Sequence, residues 1–282
     1  MTTTPDPPAG EPWTWDPSLY AGSAGHYAVG RVAYPAQLAE ELGGALRLDG
    51  TGVLLDVGCG PGSLTLLLAR HVGQAVGVDA DPDMLREAAR LAAEQRVDNV
   101  TWRHLRAEDL PADLPRPRLV TFAQSLHWMD RPRVAAAVRG MLEPEGALVH
   151  VSARTHAGSA AGTGSLPAPP HDAVAGLVRR YLGPLRRAGQ GVLTSGTASG
   201  EDEVYRAAGF DGPQRLEVAG RAVDRTVEQV VAAVYSLSSS APHLFGERLS
   251  AFDRDLRQLL ADASADGRFR EQMQPVLLSI WR

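Results

Sequence analysis

Leu54-Leu55-Asp56-Val57-Gly58-Cys59-Gly60-Pro61-Gly62 is an apolar run that breaks into alternating glycines, and a leucine-rich helical pattern follows from Ser63 to His71. The pattern reads as a buried strand, a sharp turn and a helix start. Glycines suit such a turn because a side chain would hold a ligand away from the backbone. The first turn of the helix beyond it presents unpaired N–H groups. A dinucleotide-binding turn has a similar outline, but its fingerprint wants a third glycine where Ser63 stands. Asp56, inside the strand, would also repel a diphosphate.

The pattern repeats outward from this stretch. Ala75 to Asp79 reads as a second strand, Pro82 to Gln95 as a helix with Met84, Leu85, Ala88 and Leu91 on one face, and Asn99 to His104 as a third strand. Arg118 to Ala123 and Ala147 to Ser152 complete five strands, with a helix over Arg131 to Leu142 between them. Strands alternating with helices call for a parallel sheet covered on both faces. The expected fold is α/β: a doubly wound, mostly parallel seven-stranded sheet, Rossmann-like, with helical inserts forming a lid. Upstream, a helix is expected over Pro35 to Leu46. Downstream, the reading gives helices at Asp172–Ala188, Glu201–Ala208, Val223–Leu237 and Pro242–Ala261, and strands at Gln214–Val218 and Pro275–Trp281. The chain divides into an arm and covering segment at 1–34, with Trp13 and Trp15 as anchors, and a main domain at 35–282. Its lid inserts fall at 154–200 and 222–265.

The glycine stretch closely resembles the first motif of class I S-adenosylmethionine-dependent methyltransferases. That resemblance implies that Gly58, Cys59 and Gly60 cradle the methionine part of the cofactor, with Asp56 near its ammonium group. Asp79 ends the second strand about twenty residues on, where an acid accepts from both ribose hydroxyls; otherwise it caps the next helix, a role Asp81 fills equally well. Ala80 and Met84 then flank the adenine. Arg106-Ala107-Glu108-Asp109-Leu110-Pro111 is similar to the adenine-contacting loop of the family, except that Arg106 stands where an acid is common, leaving Ala107 and Glu108 to take the contact.

Phe122-Ala123-Gln124-Ser125-Leu126-His127-Trp128 follows the fourth strand and resembles the type 11, trans-aconitate-methyltransferase-like branch that acts on small molecules. Tyr27-x-x-x-Arg31-x-x-Tyr34-Pro35 resembles the segment that folds over the cofactor in that branch. It implies Arg31 on the methionine carboxylate and Tyr27 closing the pocket; the same spacing also suits side chains that pack and snorkel on the core. Gln124 and Ser125 join the cofactor-binding candidates. His127 has two readings, a general base or a brace for the loop.

Composition narrows the rest. The net charge is −5, and all 28 basic residues are arginine, so lysine chemistry is excluded. No basic run advertises nucleic acid, no apolar run approaches a membrane span, and one cysteine excludes an intramolecular disulfide framework. No histidine spacing suggests a metal. The expectation is a cytoplasmic enzyme that uses S-adenosylmethionine on a small molecule. The alternatives are action on RNA or protein, a non-catalytic binding module and, more distantly, a nicotinamide-dependent oxidoreductase.

Overall fold

The computed structural model describes residues 16–160, 166–188, 191–193 and 200–282. Residues 1–15 of the expected arm, with Trp13 and Trp15, and much of the segment 189–200 lie outside the described residues.

A short helix α1 (Ala24–Gly30) and a longer α2 (Ala36–Leu46) precede the first strand. Then come β1 (Val53–Val57), α3 (Ser63–Ala69), β2 (Gln74–Asp79), α4 (Pro82–Gln95), β3 (Val100–His104), β4 (Leu119–Ala123), α5 (Arg131–Met141) and β5 (Ala147–Ser152). The second half comprises β6 (Ser159–Ala160), α6 (His171–Leu182), β7 (Arg186–Ala188), β8 (Gly191–Leu193), α7 (Glu201–Ala207), β9 (Gln214–Val218), β10 (Ala222–Thr226), α8 (Val227–Tyr235), α9 (Leu249–Ala263), β11 (Arg268–Gln272) and β12 (Val276–Trp281).

The main sheet runs β3-β2-β1-β4-β5-β12-β9. Strands β1 to β5 are parallel, and β12 is antiparallel to both β5 and β9. Adjacent residues of one strand serve opposite faces. Leu55 and Val57 join Val120, Phe122 and Leu148 under α5 and α7, whereas Leu54 joins Leu119 and Val149 under α2 and α3. Burial on both sides is why these strands read as continuous apolar runs. Because β2 and β4 lie on opposite sides of β1, the crossovers diverge there and open a crevice at the strands' carboxyl ends.

Caps fix the helices that frame this crevice. Asp81 accepts from the N–H groups of Asp83 at 2.8 Å and Met84 at 3.4 Å, with Pro82 opening α4. Thr226 and Gln229 form a capping box at the start of α8.

Several expected elements are corrected. The helix expected over Val223–Leu237 begins only at Val227, because Ala222–Thr226 pairs antiparallel with β11, and β6 completes a small three-stranded sheet. The helix expected over Asp172–Ala188 stops at Leu182, where Gly183 turns the chain with φ 87°. The helix expected over Pro242–Ala261 is a 3-10 segment, Pro242–Arg248, broken at Gly246 and followed by α9. Helices α6, α8 and α9 close a third core around Leu177, Val231, Tyr235, Phe245, Phe252 and Phe269. Among the described residues no helix is long and apolar enough to cross a membrane.

Candidate active site

The crevice at the ends of β1 and β4 deepens into a cleft of about 960 Å³. Its floor is the glycine turn. Gly58 has φ 68°, and a Cβ there would stand 2.6 Å from the Cβ of Ser125 and 2.8 Å from the Cε of Met129, so the turn packs directly on the loop after β4. Gly60 has φ 54° and no protein atom within 4 Å of where its Cβ would lie, which leaves the backbone bare toward the cleft.

Asp79 is on the lining. Its Oδ2 accepts the Gly60 N–H at 2.7 Å and its Oδ1 accepts the Asp81 N–H at 2.9 Å. Burial, with the nearby Asp81 and Asp56, pushes its carboxyl up to about 6. Two amide bonds leave lone pairs on both oxygens for further donors. Ala80, Met84, Leu105 and Ala107 make an apolar slot beside it. Glu108, also on the lining, accepts the Asp130 N–H at 2.9 Å and lies 3.6 Å from the Nε of Arg106. The residue that replaces the usual acid therefore pairs with the acid two places on.

Arg31 is on the lining as well. Its guanidinium donates to the Ser236 hydroxyl at 2.8 Å, the Ser236 carbonyl at 3.1 Å and the Thr155 hydroxyl at 3.3 Å, and lies 4.5 Å over the Tyr27 ring. Among the described residues it has no carboxylate in ion-pair range. Residues 20–34 form a strap across the cleft, anchored at several points. Ser23 donates to the Tyr235 carbonyl at 2.8 Å, and Val32 donates to the Thr155 carbonyl at 2.8 Å. Gly30 lies so close to α8 that a Cβ would stand 2.2 Å from the Ala233 nitrogen.

Behind that contact sits Arg225, 4% exposed, donating to the carbonyls of Gly30 at 2.5 Å, Gln229 at 2.7 Å and His156 at 3.0 Å, and to Glu271 at 2.9 Å. Glu271 also takes the Gly158 N–H at 2.6 Å and His171 at 2.7 Å. Burial raises the Glu271 carboxyl, but these donors outweigh it and hold it at about 2.

Twelve of the fourteen residues singled out from the sequence line this one cleft: Tyr27, Arg31, Gly58, Cys59, Gly60, Asp79, Ala80, Met84, Ala107, Glu108, Gln124 and Ser125. Two do not. Asp56, 1% exposed, lies beneath the floor, its oxygens taken by the hydroxyls of Thr65 at 2.6 Å and Thr121 at 2.7 Å. It ties β1 to α3 and β4 instead of facing a ligand. His127 is likewise outside the lining; it rests against Trp128 with ring centroids 4.9 Å apart, and burial beside His150 and Arg131 lowers its pKa to about 4. His150 in turn meets the buried Tyr205 hydroxyl at 2.9 Å.

The sequence reading missed Tyr20, Val32, Leu105 and Thr155 on the lining. Tyr20 is edge-on to Trp128 at 5.9 Å, and no local pattern marks it. Among the described residues no cluster of three or more potential metal ligands occurs.

The sheet order is the doubly wound, mostly parallel, seven-stranded arrangement expected from the sequence, with the glycine turn and the strand-end acid Asp79 at its crevice. Residues 54–146 match the family model described as a methyltransferase domain. An uncharacterized methyltransferase of Mycobacterium tuberculosis is 36% identical over 134 residues, 47% of this chain and 51% of that protein. A Saccharomyces cerevisiae protein assigned as an S-adenosylmethionine-dependent methyltransferase is 29% identical over 123 residues, 43% of this chain and 42% of that protein. The chain thus spans about half the length of the curated relatives it matches. A human tRNA (uracil-5-)-methyltransferase homolog is 37% identical over 90 residues, 31% of this chain but only 14% of that protein.

Among solved structures, a protein of Anaeromyxobacter dehalogenans assigned as a type II methyltransferase superposes with TM-score 0.51 at 22% identity, over 89% of this chain and 95% of that one. The [4+2]-cyclase SpnF superposes with TM-score 0.52 at 19% identity, over 95% of this chain and 97% of that one. These two likenesses concern the fold alone.

Proposed function

We propose that the protein is an S-adenosylmethionine-dependent methyltransferase acting on a small-molecule acceptor. The observation that carries this reading is the presence on one cleft of Asp79 and of Arg31, which lacks an acidic partner among the described residues. When bound, the cofactor supplies a methyl group on a sulfonium, an electrophile that leaves behind a neutral thioether. Asp79 accepts from the ribose hydroxyls, Ala80, Met84, Leu105 and Ala107 hold the adenine, and Arg31 holds the methionine carboxylate by a charge-assisted bond. The Gly58–Gly60 turn lets the backbone approach closely. Asp56 keeps that turn in register with β4 from below.

The residues assigned to chemistry are few. The described lining has no histidine, and burial together with the adjacent Tyr27 keeps the Tyr20 and Tyr34 hydroxyls above the ordinary phenol range, hence protonated. Acceleration then rests on alignment and on exclusion of water beneath the strap, not on an enzyme base. His127 braces the loop after β4. A roofed cleft with one cationic lining residue favours a small acceptor over RNA, which needs an open basic track.

Calorimetric titration with S-adenosylhomocysteine, with NADH as the control, tests the cofactor. Heat with the first and none with the second is expected. Binding of NADH alone, or of neither, rejects the reading.

A further inference from the structure

Resting on that reading, the cleft's charges specify the acceptor as well. We infer that the acceptor is an uncharged molecule with a flat, largely apolar body, seated against Tyr20, Tyr27 and Trp128, and not a carboxylate- or phosphate-bearing one. The described lining carries three charged side chains, and each has an assignment. Glu108 is 5% exposed and held by the Asp130 amide, with Arg106 3.6 Å away. Asp79 already takes the Gly60 and Asp81 amides and faces the ribose position. Arg31 is the only cation of the described lining, and the cofactor's carboxylate claims it. An anionic acceptor entering the same space would leave water with no further counter-charge among the described lining residues, which is strongly unfavourable. A cationic acceptor would find no free acid there and would meet a bound sulfonium.

What the remaining wall offers is aromatic surface. The Tyr20 and Trp128 rings meet at 78°, making a corner. Tyr27, on the same lining, carries the Arg31 guanidinium over one face. Aromatic side chains of this kind bind flat apolar bodies by stacked or edge-on contact while their polar tips take single hydrogen bonds.

Two further arginines lie nearby, and they sit on the wrong side of a partition. Arg154 and Arg221 line a separate cleft of about 340 Å³, whose walls Val32, Tyr34 and Thr155 are shared with the main one. The Val32 amide bonded to the Thr155 carbonyl at 2.8 Å lies in the wall the two share, and Arg221 donates to the Ala33 carbonyl at 3.2 Å. Neither arginine lines the main cleft.

The test is calorimetry in two stages. S-adenosylhomocysteine is titrated first; absence of heat there sinks the cofactor assignment and this inference with it. The saturated complex is then titrated with 2-naphthol, an uncharged bicyclic probe, and with tricarballylate, a tricarboxylate of modest size. The expected result is naphthol binding at least about tenfold tighter than tricarballylate, with naphthol affinity reduced about fivefold or more by Tyr20→Leu and retained by Tyr20→Phe. Tricarballylate binding as tightly as naphthol, or tighter, overturns the inference, and loss of that binding in Arg154→Ala would assign the anion to the neighbouring cleft. Binding of neither probe overturns it also. Should Tyr20→Leu fail to fold, the comparison of the two probes on the unaltered protein still decides.

Discussion

Replacing Arg225 by methionine tests how the strap is held. The guanidinium is 3% exposed and the Glu271 carboxylate 0%, so the pair is isolated from water. Methionine fills similar length but leaves Glu271 with only His171 and the Gly158 amide, and strips a donor from the carbonyls of Gly30, Gln229 and His156. Removing one partner of a buried pair typically costs about 3–5 kcal/mol, because the other charge stays behind. At roughly 2–4 °C per kcal/mol for a chain of this size, the thermal midpoint should fall by about 6–20 °C. Adding Glu271→Gln removes the stranded charge while keeping an acceptor for Gly158, so the double variant should regain part of the loss. The pH dependence has a defined sign. Glu271 is held down at about 2, so its contribution is present above the ordinary carboxylate value and is lost as pH falls toward 2. Arg225→Met should move that acid limb upward. Thermal denaturation of both variants between acid and neutral pH is the assay. A loss under about 1 kcal/mol, within the range of ordinary surface substitutions, or a double variant no more stable than the single one, would refute the reasoning.

The remaining predictions concern the cleft. Asp79→Ala should weaken S-adenosylhomocysteine binding about 100-fold, taking ~1.5 kcal/mol for each of two bonds to a charged acceptor; unchanged affinity in calorimetry would remove Asp79 from the ribose site. Because burial raises this carboxyl to about 6, affinity should climb as pH rises through that value, while its contribution to the stability of the free protein runs the other way, present below about 3.8 and lost by about 6. A pH-independent dissociation constant between 5 and 7 contradicts this. His127→Ala should leave affinity within about twofold, since its ring is outside the lining; fluorescence or calorimetric titration showing a loss of about tenfold or more would put His127 against the ligand. Gly30→Ala drives a Cβ into the backbone of Ala232 and Ala233, so the strap should lift and ligand affinity drop at least about tenfold, without loss of the main sheet's circular dichroism. Wild-type affinity would mean the strap does not cover the ligand.

Much of the cleft was legible because its chemistry is local in sequence. The glycine turn, Asp79 and the loop after β4 each sit directly after a strand whose apolar run is unmistakable, and strand ends are where this fold gathers its ligand groups. Asp56 was legible as important but not in its role, since Thr121, which takes one of its oxygens, is on another strand. Burial of that acid depends on sheet order, which no window of sequence contains. Arg225 gave no signal at all: Gly30 and Glu271 are far from it in the chain, and a lone arginine between Asp224 and Thr226 resembles any surface residue. The start of α8 was a readable feature left unread. Thr226-Val227-Glu228-Gln229 is a capping-box sequence, and it places the helix start four residues later than apolar periodicity suggests. Where SpnF is concerned, an overlapping fold belongs to a protein described as a cyclase, so function has to be argued from Asp79, Arg31 and the lining between them.

The strap and its support come from distant parts of the chain, and this bears on how the protein is made. Gly30 seats on Ala232 and Ala233, so α1 leaves the ribosome long before the surface it needs. At about 5–20 residues per second, the roughly 200 intervening residues take about 10–40 s to synthesise. For the later half of that interval, once residue 128 is made, the glycine turn, Asp79 and the loop after β4 exist without a roof, and a ligand that entered would have little to retain it. Retention of the cofactor is therefore a property the nascent chain acquires late and in one step, when α8 arrives and the two helices meet.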